Sequence, residues 1–219
     1  HGAPGAPAID HSLVDGSLPI PSVKWHLAGL NVEVTALAHA SQAVVEYRLL
    51  NAGPNRLDGS LVLAIRPVQI NPYWQHGGHA IIDSIRADDR QVWVNDRPYA
   101  SLSERPESVC IADFDQGDIV NLIADGARKS LPSLQSISGL LSAALEFSFA
   151  LAPGEARSIV VSAPMRDGIN PNTPVSFEDL RQQVINRWRE KLGPRRIMVG
   201  DPEVSDTVEA QTALILVNA

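Results

Sequence analysis

The chain has 219 residues, 44% of them apolar and 20% charged, with a formal net charge of −7. That length can bury one large β domain or two small ones, and the acidic balance argues against the Lys- and Arg-rich surface that phosphate binding requires. No apolar run approaches the roughly 18 residues that a membrane-spanning helix needs, so neither nucleic acid nor membrane is an expected partner and a soluble chain is expected.

Residues 1–22 are rich in proline, glycine and small side chains, which predicts an extended N-terminal arm. The chain opens His1-Gly2-Ala3-Pro4 with no initiator Met and no signal-type apolar stretch, so it reads as a piece of something longer. From Leu30 the pattern has period two: Leu30, Val32 and Val34 alternate with Asn31, Glu33 and Thr35, the mark of a half-buried strand. A second strand is expected over 43–50, with Val45, Tyr47 and Leu49 on one face and Glu46 and Arg48 on the other. Further strands are expected over 61–70, 80–85, 91–94, 109–114, 119–123, 145–151 and 158–162, separated by turn formers such as Asn95-Asp96 and Pro153-Gly154. Short strands at this spacing, without helical stretches between them, indicate a mainly β fold, an antiparallel β-sandwich over 23–165. The stretch 129–139 reads as a long loop or a short helix.

After Pro164 the pattern changes. Ser176 with Asp179 makes a capping pair, and Phe177, Leu180, Val184, Trp188 and Leu192 follow at helical spacing until Gly193-Pro194. This is a linker helix, over about 177–192, within a connecting segment 166–200. A second helix is expected to start at another capping pair, Asp206 and Glu209, and to run apolar through Ala213, Leu214, Ile215, Leu216 and Val217. Residues 201–219 therefore read as the first helix of a helical domain that lies beyond this chain.

This order of elements resembles the N-terminal half of six-hairpin (α/α) toroid glycoside hydrolases and phosphorylases of the glucoamylase-like, glucodextranase-like and maltose-phosphorylase-like kinds. The segments LAIRPVQINPYWQ (63–75), DFDQGDIV (113–120) and ALILVNA (213–219) resemble large bacterial proteins that carry a discoidin label, in which such a sandwich precedes a helical toroid. The resemblance implies a supersandwich-like fold and puts the catalytic acids in the toroid, so no catalytic residue is expected here. It leaves the compartment open between bacterial cytoplasm and periplasm.

Asn71, Tyr73, Trp74, Gln75 and His76 are the candidates for carbohydrate contact, because aromatic faces suit the C–H face of a sugar and the polar groups suit its hydroxyls. A strand-end loop packed on the protein is the plainer alternative, and His76 with His79 would make an incomplete metal site. Asp113, Asp115 and Asp118 resemble the start of a calcium loop, but Gly117 falls at a ligand position and Ala124 where the bidentate Glu should be. A charged hairpin explains them better, and no metal is expected. Cys110 lacks a neighbouring base in sequence and excludes an internal disulfide by being single. Asp88-Asp89 and Glu203 with Asp206 read as turn and cap residues. Arg187, Arg189, Lys191, Arg195 and Arg196 read as a solvated helix face or a salt-bridged seam. There is no P-loop, dinucleotide-binding glycine pattern or GxSxG elbow, so no cofactor is expected.

Three functions remain. The first is a non-catalytic domain of a carbohydrate-active enzyme, bracing the toroid through Trp188, Leu214, Ile215, Leu216 and Val217, with the downstream helical domain as partner. The second is a free-standing module binding an oligosaccharide. The third is an assembly domain that homodimerises through the C-terminal helix.

Overall fold

The computed structural model describes residues 8–67, 73–75, 78, 80–124, 126, 131–193 and 200–217. In chain order the strands begin with β1 (Ala8–Val14), β2 (Leu18–His26), β3 (Leu30–His39), β4 (Gln42–Asn51) and β5 (Leu57–Ile65). There follow β6 (Ser84–Asp88), β7 (Gln91–Val94), β8 (Arg97–Leu102), β9 (Ser108–Ala112) and the short helix α1 (Ile119–Ala124). The last elements are β10 (Ser133–Gln135), β11 (Ser142–Leu151), β12 (Ala156–Pro164), α2 (Phe177–Leu192) and α3 (Pro202–Val217). The fold is mainly β and antiparallel, closing with two helices, as the sequence pattern predicts. The chain divides into two compact units, one of His1–Leu57, Leu151–Arg166 and Thr173–Ala219, the other of Asp58–Ala150 and Asp167–Asn172.

In the first unit β1, β2, β3, β4 and β12 form an antiparallel sheet in that order. The β3–β4 hairpin turns through Ala40 and Ser41, both at positive φ (48° and 63°), between the paired residues His39 and Gln42. Two left-handed residues give a turn whose twist matches that of the strands. One part of a sheet face is apolar, and α2 lies on it: Leu18, Ile20, Leu37, Val44 and Val160 meet Phe177, Leu180, Val184 and Ile185 in one buried cluster. The helix starts where Ser176 Oγ accepts a hydrogen bond from the Asp179 amide at 3.2 Å, a cap that contributes about 1 kcal/mol. It stops at Gly193, whose φ of 69° suits glycine. Farther along the same face the rows become polar, with Ser22 and Thr35 hydroxyls 2.7 Å apart and Lys24 beside Glu33 at 3.7 Å.

Two expectations for this unit differ from the structure. Residues 8–22 are not an extended arm: β1 pairs with β2 from Ala8 opposite His26 to Val14 opposite Leu18. Pro19 and Pro21 are tolerated because pairing with β3 begins only at Ser22, so neither breaks a doubly bonded stretch. The last helix begins a turn before Asp206, at Pro202, with Asp201 Oδ1 accepting from the Glu203 amide at 2.9 Å. Proline suits a first helical position because its missing N–H would be unpaired there anyway.

In the second unit β8, β7, β6 and β10 form one antiparallel run, and β5, β11 and β9 form a three-stranded sheet. Val62, Cys110, Ala112, Ala144 and the α1 residues Ile119, Leu122 and Ile123 pack together as a small core. The stretch 119–123, expected as a strand, is thus helical. Asp118 Oδ1 accepts from the Val120 amide at 2.8 Å and satisfies a free N–H at its start. β5 starts earlier than expected and spans Leu57–Ile65; residues 68–70 of the stretch expected as strand over 61–70 lie outside the described residues. β8 is a strand that the sequence pattern does not predict, since it carries Pro98. β10 lies inside the stretch read as loop or helix.

Candidate functional site

The predicted sugar-contact loop is described only in part. Tyr73–Gln75 form one 3-10 turn, where Trp74 is 81% exposed and Gln75 is exposed. Asn71, His76 and His79 lie outside the described residues. An indole this open to solvent offers a flat apolar surface, but the described residues place no polar partner beside it.

The three aspartates over 113–118 separate into different jobs. Asp113 caps a 3-10 turn (Phe114–Gln116): it accepts from the Phe114 amide at 2.7 Å, while the Gln116 side chain accepts from the Asp113 amide at 3.0 Å. Its carboxylate also takes the Ser136 hydroxyl (2.8 Å), the Ser138 hydroxyl and the Ile137 amide (3.1 Å). The Ser138 hydroxyl, first of all, and then Ser136 and the two amides hold this carboxyl far below the usual range, against an opposing effect of desolvation. Asp118 instead pairs with Arg66, and Asp115 is exposed in the turn. Among the described residues no three His, Cys, Asp or Glu side chains converge as a metal site. Cys110 is buried at 8% exposure in the small core. Asp88 and Asp89 lie at the β6–β7 hairpin, Asp89 with a φ of 49°.

The proposed interface residues fall into two groups. Trp188 is partly buried against the helix–sheet core, with Lys191 Nζ 5.2 Å from its ring centroid. By contrast Leu214, Ile215, Leu216 and Val217 are 48%, 69%, 36% and 55% exposed, while Ala213 is buried. Only one side of α3 therefore meets the rest of its unit, and its last turn is apolar on every side. Between α2, α3 and the β1–β2 hairpin lies a cleft of about 600 Å3, lined chiefly by apolar groups that include Pro19, Val184, Trp188, Leu214 and Val217. Arg187 and Lys191 stand on its wall; with Arg189 they are exposed, while Arg195 and Arg196 of the basic run lie outside the described residues. Arg189 pairs with Asp15 at 2.7 Å on the hairpin turn.

No helix among the described residues is long and apolar enough to cross a membrane. No family model matches the sequence, and no curated protein matches it. A solved structure from the human microbiome, provisionally named a kojibiose phosphorylase, is similar at 8% identity with a TM-score of 0.39. The match covers 89% of this chain and 23% of that one, so this chain spans less than a quarter of that structure's length.

Proposed function

We propose that this chain is a non-catalytic β domain of a multidomain carbohydrate-active enzyme, and that α3 carries its apolar last turn into an adjoining helical domain. The observation that supports this reading is the exposure of four successive apolar residues, Leu214 to Val217, at the end of a helix seated on a sheet. Fully burying four such side chains is worth roughly 6–12 kcal/mol, and about half of that remains to be gained from their present exposure. A partner that buries them therefore gains a few kcal/mol before any polar contact forms.

The test has two arms. Reading the parent gene beyond the Ala219 codon should show a long run of helical hairpins with Asp or Glu at their loops; an immediate stop codon would overturn the domain reading. In that full-length protein, Ile215→Asp with Leu216→Asp should expose a protease-sensitive junction while the β domain itself keeps its melting temperature. Unchanged resistance to proteolysis would remove α3 from the interface.

A second reading, a sugar-binding module, is favoured by the exposure of Trp74. It requires an oligosaccharide whose binding disappears in Trp74→Ala.

A further inference from the structure

We propose that the outer face of strands β10, β6 and β7 in the second unit is a binding site for an uncharged oligosaccharide. The site begins in the strand alternation. Ile85, Ala87 and Val92 point inward, at 1%, 9% and 0% exposure. Their neighbours Ser84, Arg86 and Trp93 are thereby placed on the opposite face. The register sets Ser133 opposite Arg86 and Gln135 opposite Ser84 on β10, and Trp93 opposite Arg86 on β7. The two-residue β7–β8 turn adds Asp96 at its end. Together Ser84, Arg86, Trp93, Asp96, Ser133 and Gln135 surround a cavity of about 390 Å3, within the size range of small-molecule sites.

The chemistry of the lining selects the ligand. The Arg86 guanidinium carbon stands 3.6 Å from the Trp93 ring centroid, so the indole and a planar donor group form one stacked unit. Stacking leaves a guanidinium its N–H donors at the edge, while Asp96 supplies acceptors and Gln135 and the two serines supply both. An anion would face Asp96, and a cation would face Arg86. A wholly apolar molecule would strand several polar side chains without partners. A sugar meets both conditions: its hydroxyls donate and accept, and it carries no charge; with the indole face taken by Arg86, its contacts are to the guanidinium edge and the polar side chains around it.

Both walls are fixed in advance. Asn95 Oδ1 accepts from the Asp83 and Ser84 amides at 2.7 and 3.2 Å, and its Nδ2 donates to the Ile81 carbonyl at 2.8 Å. These bonds tie the Asn95-Asp96 turn to the start of β6. Beyond Gln135, the Asp113 carboxylate clamps Ser136, Ile137 and Ser138. A site that is already ordered spends less of its binding energy on ordering itself. Arg86 and Trp93 meet only through strand pairing, so local sequence points to sugar contact at 71–79 and not at Trp93.

The site is independent of the docking role proposed for α3. The experiment is calorimetric titration of the intact chain with maltotetraose, cellotetraose and laminaritetraose. At least one should bind saturably, and Gln135→Ala, Asp96→Asn and Trp93→Ala should each weaken it by roughly tenfold or more, with Trp74→Ala unchanged. Gln135 is exposed and off the core, so its variant answers the objection that Trp93→Ala loosens the sheet. No saturable heat with any of the three sugars overturns the site and leaves the α3 interface standing, with Arg86 and Trp93 reduced to a structural pair. Binding that survives Gln135→Ala and Asp96→Asn but is lost in Trp74→Ala overturns it in favour of the 73–75 turn.

Discussion

Ser136 donates its hydroxyl to the carboxylate of Asp113 at 2.8 Å, joining two segments 23 residues apart in the chain. Ser138 donates to the same carboxylate, as do the amides of Phe114 and Ile137. The carboxylate form is therefore favoured in the folded chain, and the carboxyl titrates well below its ordinary range, with the Ser138 hydroxyl as the largest cause. A group with a depressed folded pKa contributes stability that is complete above its unfolded pKa, about 4, and is lost as pH falls toward the folded value. Asp113→Asn places an N–H2 among four donors and should be less stable than wild type at about pH 7. The gap should shrink on acidification below about pH 4 as the wild-type carboxylate is protonated. Urea denaturation of both proteins across that range is the check, and a gap that does not narrow would show that the cluster is not what the carboxylate stabilises.

Glu146 is a buried carboxylate of the second unit, at 7% exposure on the central strand of the β5–β11–β9 sheet. One oxygen accepts from Ser60 on β5 at 2.8 Å and the other from Ser108 on β9 at 2.9 Å, so one side chain ties both flanking strands. Glu146→Ala should cost about 1–3 kcal/mol, because it leaves hydroxyls without their acceptor. Ser60→Ala should cost less, roughly 0.5–1.5 kcal/mol, since Ser60 is exposed and water can take its place. Equal losses for the two variants in chemical denaturation would contradict the bridging role.

Gly59 is set by contact. A Cβ there would stand 2.7 Å from Phe149 Cζ, with two more ring carbons at 3.2 and 3.3 Å. Phe149 is buried at 8% exposure, so the ring has little room to yield. Gly59→Ala should destabilise by about 1–3 kcal/mol through overpacking. Gly59→Ala combined with Phe149→Leu should recover part of that loss relative to Phe149→Leu alone. Strict additivity of the two changes would mean that the ring is not the obstacle.

Strong local patterns made part of this fold legible. The alternation from Leu30 and across 43–50 appears as β3 and β4, and the spacing from Phe177 to Leu192 appears as α2 with Ser176 as its cap. What escaped depended on partners distant in sequence. The prolines of β2 look incompatible with a strand until its pairing shows where hydrogen bonds are required. The stretch at Ile119 carries too few residues to distinguish helix from strand, and the Asp118 cap decides it. Asp113 reads in sequence as part of a charged hairpin, because spacing cannot show that its oxygens are filled by residues 136–138. The Arg86–Trp93 stack was hidden for the same reason.

Asn51 gives the sharpest test of the first unit. It is 1% exposed at the end of β4, and its Nδ2 donates to the Asn55 carbonyl at 2.8 Å and to the Leu151 carbonyl at 2.9 Å. Its Oδ1 accepts from the Gly53 amide at 2.9 Å, and its own carbonyl accepts from the Gly154 amide at 2.9 Å. The side chain thus holds the 52–55 turn and the end of β11 to one strand end, and the backbone carbonyl holds the 152–155 turn. Asn51→Ala should cost about 1–3 kcal/mol by leaving those groups unpaired. Asn51→Asp keeps the shape and the acceptor toward Gly53, but turns a carboxylate oxygen toward two carbonyls. Despite being the closer substitute in size, it should cost more than alanine at neutral pH, roughly 3–5 kcal/mol, the range for an unpaired buried charge. Size and hydrogen-bond direction make opposite predictions here, so the order of the two variants in urea denaturation decides between them. If aspartate proves the milder change, the amide is filling space rather than donating.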